Sequence, residues 1–291
     1  MITVIGDLVS DIIVHRDMMN YGTDTDASIR LHCGGQGNNV AAWIAHEGVE
    51  CQLIGRVGDD PFGLHLLARA RKYGIRCEVQ ADPLHPTGKI IVMIDNDTGE
   101  RSMIVDRGAN LELGSEDIVN VEQSKLLYLS GYSLFADKPR QAITHAKGIA
   151  LSQGIPIALD PSSTYNLRDH KEVLFDFLDG ITFLFPNLEE GMYLTGEIEP
   201  TRILMKLAEL VPNPILKMGE GGCLFLEGQT IVHLKPPQVK AIDVTGAGDS
   251  FIGSFLAKYY RTQDIRKSAQ RAIEVSSKVV TQNGSMPHLP E

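Results

Sequence analysis

Short apolar runs rich in Ile, Val and Leu alternate along the chain with longer stretches of helical spacing. Ile2–Ile5, Cys51–Ile54, Leu126–Leu129, Ile155–Leu159, Ile181–Phe185 and Ile215–Lys217 read as buried strands. Several are continuously apolar, the pattern of parallel strands covered on both faces. Asp60-Pro61 opens a helix with Asp as cap and Pro in the first position, Leu64, Leu67 and Ala70 keep the spacing, and Gly74 ends it. Asn39 to His46 reads as another short helix, closed by Gly48. The alternation predicts an α/β fold with a doubly wound, mostly parallel sheet flanked by helices. Two excursions, residues 12–32 and 85–106, carry Thr, Asp and alternating apolar residues instead, and the second reads as two strands around the turn Asn96-Asp-Thr-Gly. They predict a small β-sheet that acts as a lid over the strand ends. No repeat, low-complexity tract or long linker divides the chain, so one domain over residues 1–291 is expected.

Composition narrows the function. With 43% hydrophobic and 22% charged residues the chain has the apolar content for a large core. A formal net charge of −10 lacks the broad basic face of a duplex-binding protein. Cys33, Cys51, Cys77 and Cys223 form no CxxC pair, so the common zinc spacings and a disulfide framework are excluded. No basic leader opens the sequence and no apolar run approaches ~18 residues. These features predict a soluble, reduced, cytoplasmic protein with neither nucleic acid nor membrane as partner.

The most informative segment is Asp243-Val-Thr-Gly-Ala-Gly-Asp-Ser-Phe, which follows a short apolar run and precedes the helical stretch from Phe251 to Tyr260. A small-residue loop opening a helix leaves backbone N–H groups unpaired and adds partial positive charge, a site suited to phosphate. Gly246, Ala247 and Gly248 have no bulk to keep a phosphate away. Asp249 stands where a carboxylate can take a proton from an attacking hydroxyl. The Walker pattern is absent, and so is GxGxxG after the first strand.

This nonapeptide resembles the signature of the ribokinase-like (pfkB) carbohydrate kinases. The likeness continues in the family's order: Gly6-Asp-Leu-Val-Ser-Asp11 after the first strand, Gly34-Gly-Gln-Gly-Asn-Asn39, Gly55-Arg-Val-Gly-Asp-Asp-Pro-Phe-Gly63, Asn187-Leu-Glu-Glu190, and Lys217-Met-Gly219-Glu-Gly-Gly222. It covers essentially the whole chain. The resemblance implies transfer of the γ-phosphoryl group of ATP to a sugar hydroxyl, with Asp249 as base and the N–H groups of Gly246, Ala247 and Gly248 as anion hole. It assigns Asp11, Gly35, Gln36 and Asn39 to the sugar, and Asn187, Lys217, Gly219 and Gly222 to the nucleotide side. Arg107 and Asn110, in Arg107-Gly-Ala-Asn110, are further substrate candidates. Asp160 follows a predicted strand, where open α/β sheets bind ligands.

Asn187 and Glu190 match the family's Mg²⁺-organising motif, acting through water rather than as direct ligands; the same spacing makes a capping box. Asp243 and Thr245 match part of the family's monovalent-cation site for K⁺. Carbonyls from Val279, Gln282 and Gly284 complete that site, and His288 falls where ribokinase has a Ser ligand. Gln36 stands where ribokinase has Lys and Ser130 where it has an acidic sugar contact, which turns the reading away from ribose itself. A ketose, a pentose or a sugar acid such as 2-keto-3-deoxygluconate is expected, the acid because Arg107 offers a bidentate carboxylate partner. A nucleoside kinase of the same fold is the alternative; nucleobases favour aromatic stacking, and the excursions hold one aromatic, Tyr21. Exposed edge strands in a lid predict a homodimer through it. Trp43 reads as core, and Met18 and Met19 as packing or lid contacts.

Overall fold

The predicted apolar runs lie mostly at the centre of a seven-stranded, wholly parallel sheet in a computed structural model that describes residues 1–17, 19–96, 101–282 and 284–289. From one edge its strands are β11 (Asn213–Pro214), β10 (Phe183–Leu184), β9 (Ile157–Asp160), β8 (Leu126–Ser130), β1 (Ile2–Ile5), β4 (Cys51–Gly58) and β5 (Arg76–Asp82). Strand alternation serves both faces. Ile2, Val4, Leu126 and Tyr128 pack into one core layer, and Ile5, Leu127 and Leu129 into the other. Helices α1 (Gln36–His46), α2 (Pro61–Lys72), α7 (Ala247–Thr262) and α8 (Ile265–Val279) supply the first layer. Helices α3 (Asp137–Ser152), α4 (Thr164–Phe177), α5 (Leu188–Thr195) and α6 (Pro200–Ala208) supply the second.

Strand order reverses at β1: the chain runs outward through β4 and β5, then returns to β8 on the other side. Open α/β sheets bind ligands outside the carboxyl ends at such a switch point. Asp7 follows β1, Ser130 ends β8, Asp160 ends β9, and Asn187 follows β10.

A second, four-stranded sheet has the order β3 (Ala27–Gly34), β2 (Val9–Arg16), β6 (Gly88–Asp95), β7 (Arg101–Asp106). Its middle pair is parallel and its outer pairs antiparallel. It begins at Val9, earlier than the expected excursion, so Asp11 lies on a strand of this sheet. The turn residues 97–99 and Met18 lie outside the described residues. A third sheet joins β12 (Leu216–Lys217), β13 (Cys223–Glu227) and β14 (Thr230–Leu234).

Several boundaries differ from expectation for physical reasons. The run Ile215–Lys217 does not join the parallel sheet as a strand: Asn213–Pro214, just before it, closes that sheet, and Leu216–Lys217 pairs antiparallel with β13. The edge strand β5 was not predicted, because Arg76, Glu78 and Gln80 leave it no apolar run. Helix α1 starts at Gln36 rather than Asn39, because Asp7 caps it from the loop after β1. The Asp7 carboxylate accepts from Gly37 N at 3.3 Å and the Asp7 carbonyl from Asn38 N at 3.2 Å. Gly35 precedes this turn at φ 96°, and a Cβ there would lie 2.4 Å from the Asp7 carbonyl oxygen, so only Gly fits. Helix α2 begins as read, Asp60 accepting from Gly63 N at 2.9 Å with Pro61 in the first turn. Among the described residues no helix is long and apolar enough to cross a membrane, and the four cysteines are free.

Candidate active site

Helix α7 opens at the predicted glycine loop. Gly246 is its N-cap at φ 74°. A Cβ on Gly246 would sit 2.5 Å from Ser285 Cα, so a side chain there meets both strain and a clash. Three N–H groups were expected to form the anion hole, and one is spent: Ala247 N donates to Val244 O at 3.2 Å. Among the described residues, the N–H groups of Gly246, Gly248 and Asp249 have no backbone or side-chain acceptor. The candidate donor set therefore loses Ala247 and gains Asp249, in the first turn of α7.

Asp249 lies in that turn, partly buried. Asn39 of α1 donates through Nδ2 to Asp249 Oδ2 at 2.8 Å, and Ser285 Oγ lies 3.3 Å from Asn39 Oδ1. The Trp43 indole donates to Ser285 O at 2.9 Å, so the residue read as core also pins the segment packed against Gly246. Burial raises the Asp249 carboxyl to about 7; the Asn39 amide and Lys217 oppose the rise, while Asp160 and Asp7 add to it. A carboxylate poised near neutrality is suited to general base work.

Beside it runs a buried ionic chain. Lys217 Nζ meets Asp160 Oδ2 at 2.6 Å, and Asp160 Oδ1 accepts from Ser162 N at 2.8 Å. Burial pulls the Lys217 ammonium down, but Asp160, Glu190 and Asp249 outweigh it and hold it above its ordinary value. Burial, then Asp160, push the Glu190 carboxyl up, against Lys217 and the Asn187 N–H. Asn187 and Glu190 form the reciprocal capping box of α5, each bond 2.8 Å. No group of three or more His, Cys, Asp or Glu among the described residues is arranged to hold a metal by itself.

The expected acceptor residues lie around Asp7. Burial, then Asp7, raise the Asp11 carboxyl to about 7. A Cβ at Gly34 would approach Asp11 Oδ2 to 2.1 Å. Gly34→Ala should therefore displace Asp11 and lower kcat/KM for the acceptor by about 10²-fold, with the KM for ATP unchanged. Equal acceptor kinetics in the two proteins would remove Asp11 from the site. Gln36 Oε1 accepts from Ser130 Oγ at 2.6 Å and Ser162 Oγ at 2.9 Å. Ser162 adopts φ 78°, an uncommon conformation for a non-glycine residue. Arg107 pairs with Asp7 at 3.1 Å and lies 3.9 Å over the Tyr132 ring.

Asn110 does not offer its amide to a substrate. Its Nδ2 donates to Leu8 O and Arg107 O, at 2.8 and 3.0 Å, and its Oδ1 accepts from Leu8 N at 2.9 Å. It positions the loop after β1. Asp7 was quoted within a motif but given no role; it is the hub that joins α1, Ser130 and Arg107. Its type at the end of a first strand was the available signal.

Asp243, Thr245 and Gly284 do converge. Asp243 Oδ1 accepts from Thr245 N at 3.0 Å and Thr245 Oγ1 at 2.6 Å, and Oδ2 accepts from Gly284 N at 3.1 Å. Gly284 meets Asp243 through its N–H rather than through a carbonyl as expected, so this contact staples the loop to the C-terminal segment. Val279 O accepts from Gln282 N, and His288 pairs with the Gln282 side chain at 2.7 Å.

A cleft of about 790 Å³ opens onto the start of α7. Asn187, Lys217, Gly219, Gly222, Ala247 and Gly248 line it, together with Pro236, Val239 and Phe251. Gly222 at φ 85° faces the Leu234 carbonyl so closely that a Cβ would lie 1.9 Å from its oxygen. The four residues assigned to the nucleotide side thus line one cleft.

The model of the pfkB family of carbohydrate kinases matches residues 1–291. The chain belongs to this family. It is a phosphotransferase with a hydroxyl acceptor, a sugar or nucleoside kinase. A deoxyribokinase of Salmonella typhimurium is 27% identical over 302 aligned positions, covering 99% of this chain and 95% of that protein. The crystal structure of an adenosine kinase from Sinorhizobium meliloti superposes with a TM-score of 0.89 at 25% identity, over 98% of this chain and 95% of the other. The structure of a putative ribokinase II from E. coli in complex with ATP and Mg²⁺ superposes at 0.88 with 23% identity, over 98% and 94% of the two chains, and so shares the ribokinase-like fold.

Proposed function

We propose that this kinase transfers the γ-phosphoryl group of ATP to a hydroxyl of a small sugar, with Asp249 as the base. The observation that carries this reading is Asp249 at the mouth of α7, fixed by Asn39 at 2.8 Å beside N–H groups without acceptors among the described residues. The acceptor hydroxyl lies between Asp249 and the phosphoryl group. Asp249 takes its proton as the phosphorus–oxygen bond forms, and ADP leaves toward the cleft. The Gly246, Gly248 and Asp249 amides stabilise the transferring group, each donor worth about 3–4 kcal/mol in the transition state. Lys217, held by Asp160, faces the same charge.

Mg²⁺ suits the ionic chain: three carboxylates, Asp160, Glu190 and Asp249, act on a single ammonium there. Asn187 and Glu190 would hold it through water, and it would neutralise phosphate charge. For K⁺ the residues would be Asp243, Thr245 and Gly284. A K⁺-dependent enzyme gives a higher kcat in KCl than in tetramethylammonium chloride of equal ionic strength; equal rates remove that ion from the account.

The four-stranded sheet serves as a lid that excludes water, which would otherwise compete as acceptor. The whole works as one domain with this lid as its appendage. Both lid edges are exposed, with Ile29 at 66% and Met103 at 63% of full accessibility. Pairing of two lids would cover them, and light scattering at micromolar concentration should return the mass of a dimer; a monomer contradicts this. The four free thiols fit the expected reducing compartment, the cytoplasm.

A nucleoside acceptor is the second reading. Tyr132 and Phe135 line a cavity of about 120 Å³ beside Asp7, and aromatic faces suit a base. ADP release from ATP and Mg²⁺ decides both points. A sugar panel should support turnover and a nucleoside panel should not; ADP release with nucleosides alone would invert the choice.

A further inference from the structure

Among the described residues, the arginines lining the cavity on the acceptor side of the site are already paired. Arg107 Nη1 donates to Asp7 Oδ2 at 3.1 Å, and Asp7 is 6% exposed. The guanidinium face is covered by Tyr132 at 3.9 Å. The other cation lining the cavity beside Asp7 is Arg56, which lies 3.1 Å from Asp82 and 2.9 Å from Asp117. Gln36 and Ser130 form a neutral pair at 2.6 Å. Asp11 and Asp249 add two carboxylates within the electrostatic reach of Asp7.

From this arrangement we infer that the acceptor bears no carboxylate, sulfonate or phosphate: the site selects an uncharged polyol or nucleoside and rejects its anionic analogues. The inference rests on the kinase reading above. A sugar acid reaching Arg107 meets the Asp7 carboxylate on the same guanidinium. It must displace that carboxylate, which still caps α1 through Gly37 N, or accept its repulsion. Neither cost falls on a neutral sugar, whose hydroxyls donate to Asp7 and Asp11. Like charges placed together across a recognition surface oppose binding strongly. The sequence offers Arg107 as a bidentate partner for 2-keto-3-deoxygluconate; in the structure one nitrogen of that guanidinium already serves Asp7.

The test compares kcat/KM by ADP release for ribose, 2-deoxyribose, fructose and adenosine against 2-keto-3-deoxygluconate, fructose 1-phosphate and fructose 6-phosphate. The best neutral acceptor should exceed every anionic one by about 10²-fold or more. Asp7→Asn, which frees Arg107 of its counter-charge while keeping the side-chain shape, should narrow the ratio about tenfold. An anionic acceptor equal to or better than the neutral ones overturns the inference and leaves the kinase reading standing. A folded Asp7→Asn protein with an unchanged ratio overturns it as well, because selection then has another cause. Should Asp7→Asn not fold, the wild-type ratio decides. No turnover with any of the seven compounds overturns the kinase reading and this inference with it.

Discussion

Asp249→Asn lowers kcat by about 10²–10⁴-fold, the range expected when a positioned base is lost, and leaves the KM for ATP nearly unchanged. The amide keeps the size of the side chain and can still meet Asn39 after a flip, so the variant folds and the defect is chemical. The wild-type enzyme should also show the titration of this group. The carboxyl is held near 7 in the folded chain against an ordinary 3.8. A base works deprotonated, so kcat rises with pH up to about 7 and levels above it. The sign for stability is opposite. Between about 4 and 7 the folded state keeps a proton that the unfolded state has released, so the free energy of unfolding contributed by this group falls as pH rises. Asp249→Asn removes both slopes. A pH–rate profile flat from 5 to 8, or a variant within ~10-fold of wild type, contradicts the assignment.

Lys217→Met is expected to cost about 3–5 kcal/mol of stability, because it leaves the Asp160 carboxylate buried without its counter-charge. Asp160 is 3% exposed and its Oδ2 rests 2.6 Å from Lys217 Nζ. Denaturant unfolding of the single variant reads that loss directly. Lys217→Met combined with Asp160→Leu removes the pair together, and such replacements are often neutral for folding. The double variant should therefore regain most of the stability while remaining impaired in kcat and in the KM for ATP. Recovery of stability and activity together would make the pair structural only. Failure to recover stability would place the cost elsewhere in the chain from Asn187 to Asp249.

How much of this was readable beforehand depended on the range of each interaction. Strands β1, β4 and β8 were legible because burial on both faces demands continuous apolar runs, and α2 because Asp60 and Pro61 act within one turn. The glycine loop was legible because phosphate binding at a helix start is local chemistry. The pairing of Asn39 with Asp249 spans 210 positions, and only the family order hinted at it. Asp7 was left without a role because an Asp at a strand end is ordinary in sequence, and the partners that define Asp7 and Asp160, Arg107 and Lys217, lie 100 and 57 positions away. Asn110 misled for the same reason: its type suits a sugar, but three backbone bonds already consume it. Ala247 was placed in the anion hole by its small size, which says nothing about the Val244 carbonyl that takes its N–H.

The central claim is that the amides opening α7 hold the transferring phosphoryl group with Asp249 alongside. A crystal structure with Mg²⁺, ADP, aluminium fluoride and the preferred acceptor tests it most directly, the fluoride standing in for the phosphoryl group in flight. The account predicts fluorides within hydrogen-bond distance of Gly248 N and Asp249 N, and the acceptor hydroxyl against the Asp249 carboxylate. Aluminium fluoride bound away from α7, or a hydroxyl with no contact to Asp249, would contradict it.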